Sequence, residues 1–218
     1  MKKICFSIFL IFISFVVALG QKLTPKEKAV FDEVAYHRYR IGEYEKIHKW
    51  IIPIRYKVIG DNSKYVLDEI DTTFSQLAKL TKLDIQKSQD DDEVNFVIAL
   101  SADAEVLSQL SENTRKYANG FGGLAYKANK KSEIYRLERL FVISKYPSKT
   151  DVRYVIRKGI ITSMGLFKRS ESAPKSIFYS ENNGKLKIDA FDSAIITAFY
   201  DEKIKPGMTK DEVETLFK

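Results

Sequence analysis

The stretch Thr150-Asp151-Val152-Arg153-Tyr154-Val155-Ile156-Arg157-Lys158-Gly159-Ile160-Ile161-Thr162-Ser163-Met164-Gly165-Leu166 decides how the rest of the chain is read. Thr150 or Asp151 suits a helix N-cap, since a short side-chain oxygen can take an unpaired N–H of the first turn. Val155, Ile156, Ile160, Ile161 and Met164 follow at helical spacing, and Gly165 is placed to end the helix. Beyond it come Ser176-Ile177-Phe178-Tyr179 and then an Asp189-capped helix carrying Phe191, Ile195, Ile196 and Phe199. Pro206-Gly207 breaks the chain, and Thr209-Lys210-Asp211-Glu212 is a capping box for a last helix with Val213, Leu216 and Phe217.

Upstream, Ile134 to Ser144 is strand-like and Pro147 ends it. Asn119-Gly120-Phe121-Gly122-Gly123 with Ala125 spells G-x-G-x-x-A, but Arg115 to Ala118 form no buried strand before it, so a flexible connection is expected. A polar helix covers Ala102 to Leu110. Asp90 to Glu93 form an acidic turn before a short apolar strand, Val94 to Leu100, and lack the glycine and spaced ligands of a calcium loop. Val66, Leu67, Ile70, Phe74, Leu77 and Leu80 mark an amphipathic helix from Ser63. Trp50 to Ile59 reads as the first strand, ended by Gly60-Asp61-Asn62. Before it, Thr24-Pro25-Lys26-Glu27 opens a helix running towards Arg40, with Val30, Phe31, Val34, Ala35 and Tyr39 near helical spacing. His37 falls on that helix as a surface or half-buried residue, and His48 lies in the linker after it.

The chain has 218 residues, 44% of them hydrophobic, and 36 basic against 29 acidic side chains, for a net charge of +7. That balance suits a folded domain and not a disordered chain. One cysteine excludes a disulfide framework, and two histidines all but exclude a multi-histidine metal site. Lys2-Lys3, an apolar run from Ile4 to Leu19 and the small residues Ala18 and Gly20 make a secretory signal peptide with cleavage before Gln21. An uncleaved anchor is the alternative. The expected division is therefore 1–20 signal peptide, 21–49 N-terminal helix and linker, and 50–218 main domain. Export to the periplasm or outside the cell follows, with membrane contact only through the signal peptide and no nucleic-acid partner. Processing also removes Cys5, so no thiol nucleophile remains.

Met164-Gly165-Leu166, Ser176 to Tyr179, and Asp192…Ile196…Phe199-Tyr200 resemble, in that order, zincin metalloproteases of the metzincin kind. Those carry H-E-x-x-H-x-x-G-L, an S-I-M-Y methionine turn and a D-x-x-x-I-x-x-L-Y helix. The chain is more closely similar to a family of bacterial exported domains of unknown function with zincin-like sequence. Trp50-Ile51-Ile52-Pro53-Ile54-Arg55, Leu80 to Ile85 and Pro206-Gly207-Met208-Thr209 match its further segments. The resemblance covers Trp50 to the C-terminus. It implies an α+β, zincin-like fold: a mixed twisted sheet with an active-site-type helix and a C-terminal helical subdomain.

Anchored on Gly165-Leu166, the resemblance puts the first zinc histidine at Lys158, the general-base glutamate at Gly159, the second histidine at Thr162 and the third ligand near Lys168. Zinc needs lone pairs from imidazole, thiolate or carboxylate, and none of these four residues supplies one. Phe178 stands at the methionine of the turn. No G-x-S-x-G elbow is present, and the paired carboxylates, Asp90 to Glu93 and Asp201-Glu202, sit on predicted turns or helix ends. The expectation is a non-catalytic, pseudo-metalloprotease domain with no metal and no cofactor. It would bind an unknown peptide, glycan or envelope protein in a cleft formed by Arg157, Lys158, Phe178 and Tyr179, with Lys168 adding to a basic floor. Two alternatives stay open: a metal-dependent hydrolase or peptidase with a non-standard site, and a structural envelope-assembly protein docking through the N-terminal helix.

Overall fold

Strand β8 (Glu133–Phe141) organises the sheet, because both of its edges are occupied. In the computed structural model, which describes residues 23–38, 44–61 and 63–217, β7 (Gly122–Ala128) runs antiparallel along one edge. The other edge takes β3 (Lys49–Trp50) and then β6 (Phe96–Ala99), both parallel to it. β4 (Ile54–Ile59) pairs parallel with β6, and β5 (Ile85–Lys87) parallel with β4. A separate two-stranded ladder joins β1 (Tyr36–His37) to β2 (Lys46–Ile47). With seven α-helices among the described residues, this is a mixed α+β fold around a largely parallel sheet.

The single strand expected from Trp50 to Ile59 is two strands. Pro53 has no N–H for a ladder, and between Trp50 and Ile54 the chain moves from the edge of β8 to the far side of β6. Asn95 fills the step: its side chain donates to the Pro53 carbonyl (2.8 Å) and accepts from the Arg55 N–H (2.9 Å). The glycine-rich stretch is likewise more ordered than a flexible connection, since Gly122 and Gly123 begin β7. Gly122 has φ +117°, and a Cβ there would lie 2.1 Å from the Leu140 carbonyl oxygen, so only glycine lets the edge strand approach β8.

β6 is buried on both faces. Phe96 and Ile98 point into the larger core with Trp50, Phe74, Leu77 and Ile160. Val97 and Ala99 point into a smaller core with Ile59, Val106, Leu110 and Leu140, beneath α3 (Ala104–Ser108). The larger core is covered by α2 (Lys64–Thr81), α5 (Lys149–Ser163) and α6 (Ala190–Phe199). α4 (Glu112–Arg115) and α7 (Lys210–Glu214) are short.

Val30, Phe31, Val34, Ala35, Tyr36, Ile47 and Trp50 all enter the larger core. α1 (Pro25–Val34) keeps the expected Thr24–Glu27 capping box. Its Phe31 ring lies 6.4 Å from Phe199 and 5.6 Å from Phe217, so its apolar face packs into the core. The helix stops at Val34, which puts His37 on β1 and not on a helix. The signal peptide at 1–20, its cleavage before Gln21, the expected helix residues Tyr39 and Arg40, and Asn62 of the first turn lie outside the described residues.

Candidate functional site

α5 is capped by Ser148, whose hydroxyl accepts from the Asp151 N–H (3.1 Å), and not by Thr150 or Asp151. At the other end Gly165 is not the left-handed residue. Leu166 takes that role (φ 51°), while a Cβ on Gly165 would sit 2.6 Å from the Phe199 ring. Glycine is there to let α6 approach.

The helix divides the expected cleft residues between opposite directions. Arg157 turns to α2, where its Nε donates to Glu69 (2.5 Å) and its Nη1 to Gln76 (2.8 Å). Its side chain is 3% exposed and that of Glu69 1%, so the pair is buried. Phe178 is fully buried, edge-on to Phe167 at 5.1 Å between centroids. Arg157 and Phe178 therefore cannot line a cleft; both hold the helix in place.

Lys158 and Tyr179 do meet. The Lys158 ammonium donates to the Tyr154 hydroxyl (2.9 Å), to the Tyr179 carbonyl and to the Glu181 carbonyl (3.4 Å). Tyr154 in turn donates to the Glu181 carbonyl at 2.9 Å. Tyr154 and Lys158 are four apart and share a helix face, and together they tie α5 to the segment after the Ser176–Phe178 turn. Burial pushes the Lys158 ammonium down to about 8, and repulsion from Arg169 adds to it. Lys158 acts here as a clamp.

Gly159 has a packing reason. A Cβ there would come within 2.4 Å of the Phe141 ring and 3.1 Å of the Arg139 Nε. The space a glutamate would enter is filled from β8. Thr162 turns its hydroxyl back to the Gly159 carbonyl (3.1 Å), and Lys168 pairs with Glu45 (2.9 Å) at the half-exposed surface. A zinc site implied by the resemblance does not fit these residues: an ammonium held by carbonyls, a packed glycine and a hydroxyl turned inward offer no ligand set. Among the described residues no three His, Cys, Asp or Glu side chains gather where they could hold a metal ion.

The turn that resembles the methionine turn is held by a buried carboxylate. Asp192 accepts from the Ser176 hydroxyl (2.7 Å) and the Ile177 N–H (3.2 Å), and pairs with Lys185 at 2.6 Å. Burial raises its pKa even so. The two histidines, separated in sequence, lie side by side with ring centroids 5.8 Å apart, both next to Tyr126. Burial, then His48 and Lys168, hold His37 below the ordinary histidine range. Four surface cavities of roughly 400 to 670 Å³ are lined by other parts of the molecule and not by the residues at 158, 159, 162, 168 or 179.

Sequence reasoning missed Arg139, Arg169 and Glu69. Glu69 was detectable only as a charge among the apolar positions Val66, Ile70 and Phe74. Lys49 was missed as well: 6% exposed, it donates to the carbonyls of Asp201 (3.0 Å) and Ile204 (2.8 Å). Burial, then Lys205, lower its pKa to about 8. A lysine depressed in the folded state contributes stability that is present above its unfolded value and lost as pH falls through the folded one. The unfolding free energy of the wild type is thus expected to gain on that of Lys49→Met between pH 8 and 10 in urea titrations. A difference that stays flat over that window would place the Lys49 pKa at its ordinary value.

The fold and site define a mixed α+β domain whose central helix is tied to its neighbours by lysine, arginine and packed glycine. A family model described as a protein of unknown function (DUF2927) matches residues 27–218, and the chain belongs to that family. The match takes in α1 from Glu27 onward, including its core residues Val30, Phe31 and Val34. No curated protein and no solved structure matches the chain.

Proposed function

We propose that the chain is an exported, non-catalytic zincin-like domain that works by binding a peptide, glycan or envelope partner. The observation that carries this is the state of α5. Its positions for metal ligands and base are occupied by a clamped ammonium, a glycine packed under Phe141 and an inward-turned hydroxyl. The order of elements supports the outline: a mixed sheet with an antiparallel edge strand, a helix packed on it, a serine-initiated turn bound to the next helix, and a short helical end. The leading Lys2-Lys3 and apolar run support export.

Metal analysis of the purified protein, paired with peptide and glycan hydrolysis assays in added zinc and after chelation, tests the first half. The expected result is zinc well below one equivalent and no hydrolysis in either condition. Stoichiometric zinc whose removal abolishes hydrolysis would establish the metal-dependent hydrolase instead. N-terminal sequencing of protein recovered from the exported fraction tests the second half, with Gln21 expected as the first residue.

A further inference from the structure

Glu138 places a charge at the edge of the smaller core. It lies two residues before Leu140 on β8, on the same strand face, and is only 7% exposed. Its Oε2 accepts from the Ser111 N–H (2.9 Å), the Ser111 hydroxyl (2.6 Å) and the Thr114 hydroxyl (2.6 Å). Burial raises its pKa, but these bonds, with Arg136 nearby, hold it below the ordinary glutamate range, so the group is ionised. Oε1 accepts from no protein group and is not enclosed, so it opens on the cavity of about 400 Å³ that Glu138 lines. The two other buried carboxylates among the described residues have cations: Glu69 has Arg153 and Arg157, and Asp192 has Lys185. Glu138 has none, although a carboxylate buried this far is rarely left without one.

The register of β7 on β8 builds the rest of the cavity. Ala125 stands directly opposite Glu138 and Lys127 directly opposite Arg136, and all four line it. Opposite residues share a sheet face, so the small Ala125 leaves room in front of the carboxylate. Lys127 and Arg136 are like charges set across from each other, an unfavourable pairing in a bare ladder. Neither makes an ion pair among the described residues. Gln109 and Asn113 close the cavity from the side of α3 and α4 with exposed amides. The site thus offers one buried negative oxygen and, beside it, two uncompensated cations.

We infer that this cavity binds a free α-amino acid, with its ammonium on the Glu138 Oε1 and its carboxylate between Lys127 and Arg136. Residues two apart on a strand face are about 7 Å apart, within reach of groups carried on adjacent carbons of one small molecule. A guanidinium fork matches a carboxylate with two parallel bonds. A neutral sugar would meet Glu138 and leave the two cations uncompensated. A simple anion would meet the cations and be repelled by Glu138. A zwitterion answers both, and the volume suits a small molecule.

Calorimetric titration of the purified protein with each common L-amino acid tests it, with galactose and inorganic phosphate as the competing chemistries. At least one amino acid is expected to bind, and its N-acetyl derivative and its amide each to bind at least tenfold more weakly. Arg136→Gln, at an exposed position, is expected to weaken that amino acid at least tenfold with the unfolding midpoint unchanged. Glu138→Gln keeps an oxygen for Ser111 and Thr114, removes the charge, and is expected to weaken it at least tenfold. Should Glu138→Gln fail to fold, the N-acetyl derivative still reads the Glu138 contact on the unaltered protein. Lys87→Gln on the far edge strand should leave binding as it is. No binding by any amino acid, full binding of the acetylated or amidated form, galactose or phosphate bound as tightly, or wild-type affinity in Arg136→Gln would each overturn the inference. The cavity is apart from α5, so zinc-dependent hydrolysis would overturn the non-catalytic reading and leave this inference standing.

Discussion

Glu69→Ala is expected to destabilise the fold by about 3–5 kcal/mol, the usual cost of leaving one partner of a buried ion pair alone. The Arg157 side chain is 3% exposed and its Nε has Glu69 as its charged partner. Without that carboxylate, a full positive charge sits between α2 and α5 with only the Gln76 carbonyl to meet it. Arg153 shares the same carboxylate from a side chain 44% exposed, so Arg153→Ala should cost under about 1 kcal/mol. Urea unfolding at constant m-value measures both. The pair Glu69→Leu with Arg157→Leu separates two meanings of the contact. Replacing a buried ion pair by apolar residues of similar size is often neutral or stabilising by about 1–4 kcal/mol. Recovery of wild-type stability in the pair would mean that the ions set the orientation of α5 on α2 and contribute little net stability. A pair as unstable as Glu69→Ala alone would contradict that account.

Legibility in the sequence followed the range of the forces involved. The capping boxes at Thr24 and Thr209 and the Asp189 cap were readable because each is settled within four residues. The apolar stripe of α2 was readable for a similar reason, as periodicity is a local property. Glu69 was not, because its burial depends on Arg157, 88 residues away. The cap of α5 was misplaced because Ser148, Thr150 and Asp151 are all competent, and the chain leaving Pro147 decides among them. At the candidate site the residue types excluded a zinc ligand set without any coordinates. What they could not give was direction. Arg157 and Lys158 are adjacent in sequence, yet one closes on α2 and the other on the 179–181 segment, since successive helix positions turn about 100°. Arg139 went unnoticed because a strand arginine at a half-buried position looks like solvent-facing alternation until Gly159 is seen beneath it.

Installing on α5 the zinc-site residues that the resemblance to zincins implies should fail, and by a large margin. The triple variant Lys158→His, Gly159→Glu and Thr162→His introduces an i, i+4 histidine pair with an intervening glutamate. Helix propensity alone favours it, since replacing a mid-helix glycine gains up to about 1 kcal/mol. Packing opposes it more strongly. Any Cβ at 159 meets the Phe141 ring at 2.4 Å, and overpacking of a filled core typically costs about 1–3 kcal/mol. Losing the Lys158 ammonium removes its bonds to Tyr154, Tyr179 and Glu181, and charge-assisted bonds are worth about 1.5–3 kcal/mol. Net destabilisation of several kcal/mol is expected, read as a large fall in the urea midpoint, with no stoichiometric zinc in the metal analysis. Adding Phe141→Ala is the informative step, because it clears the space above residue 159. Partial recovery of stability there, still without zinc, would show that β8 and α5 are fitted to each other around the glycine at 159. Tight zinc binding by the triple variant at wild-type stability would show the opposite: a cleft that had lost its ligands but kept its room.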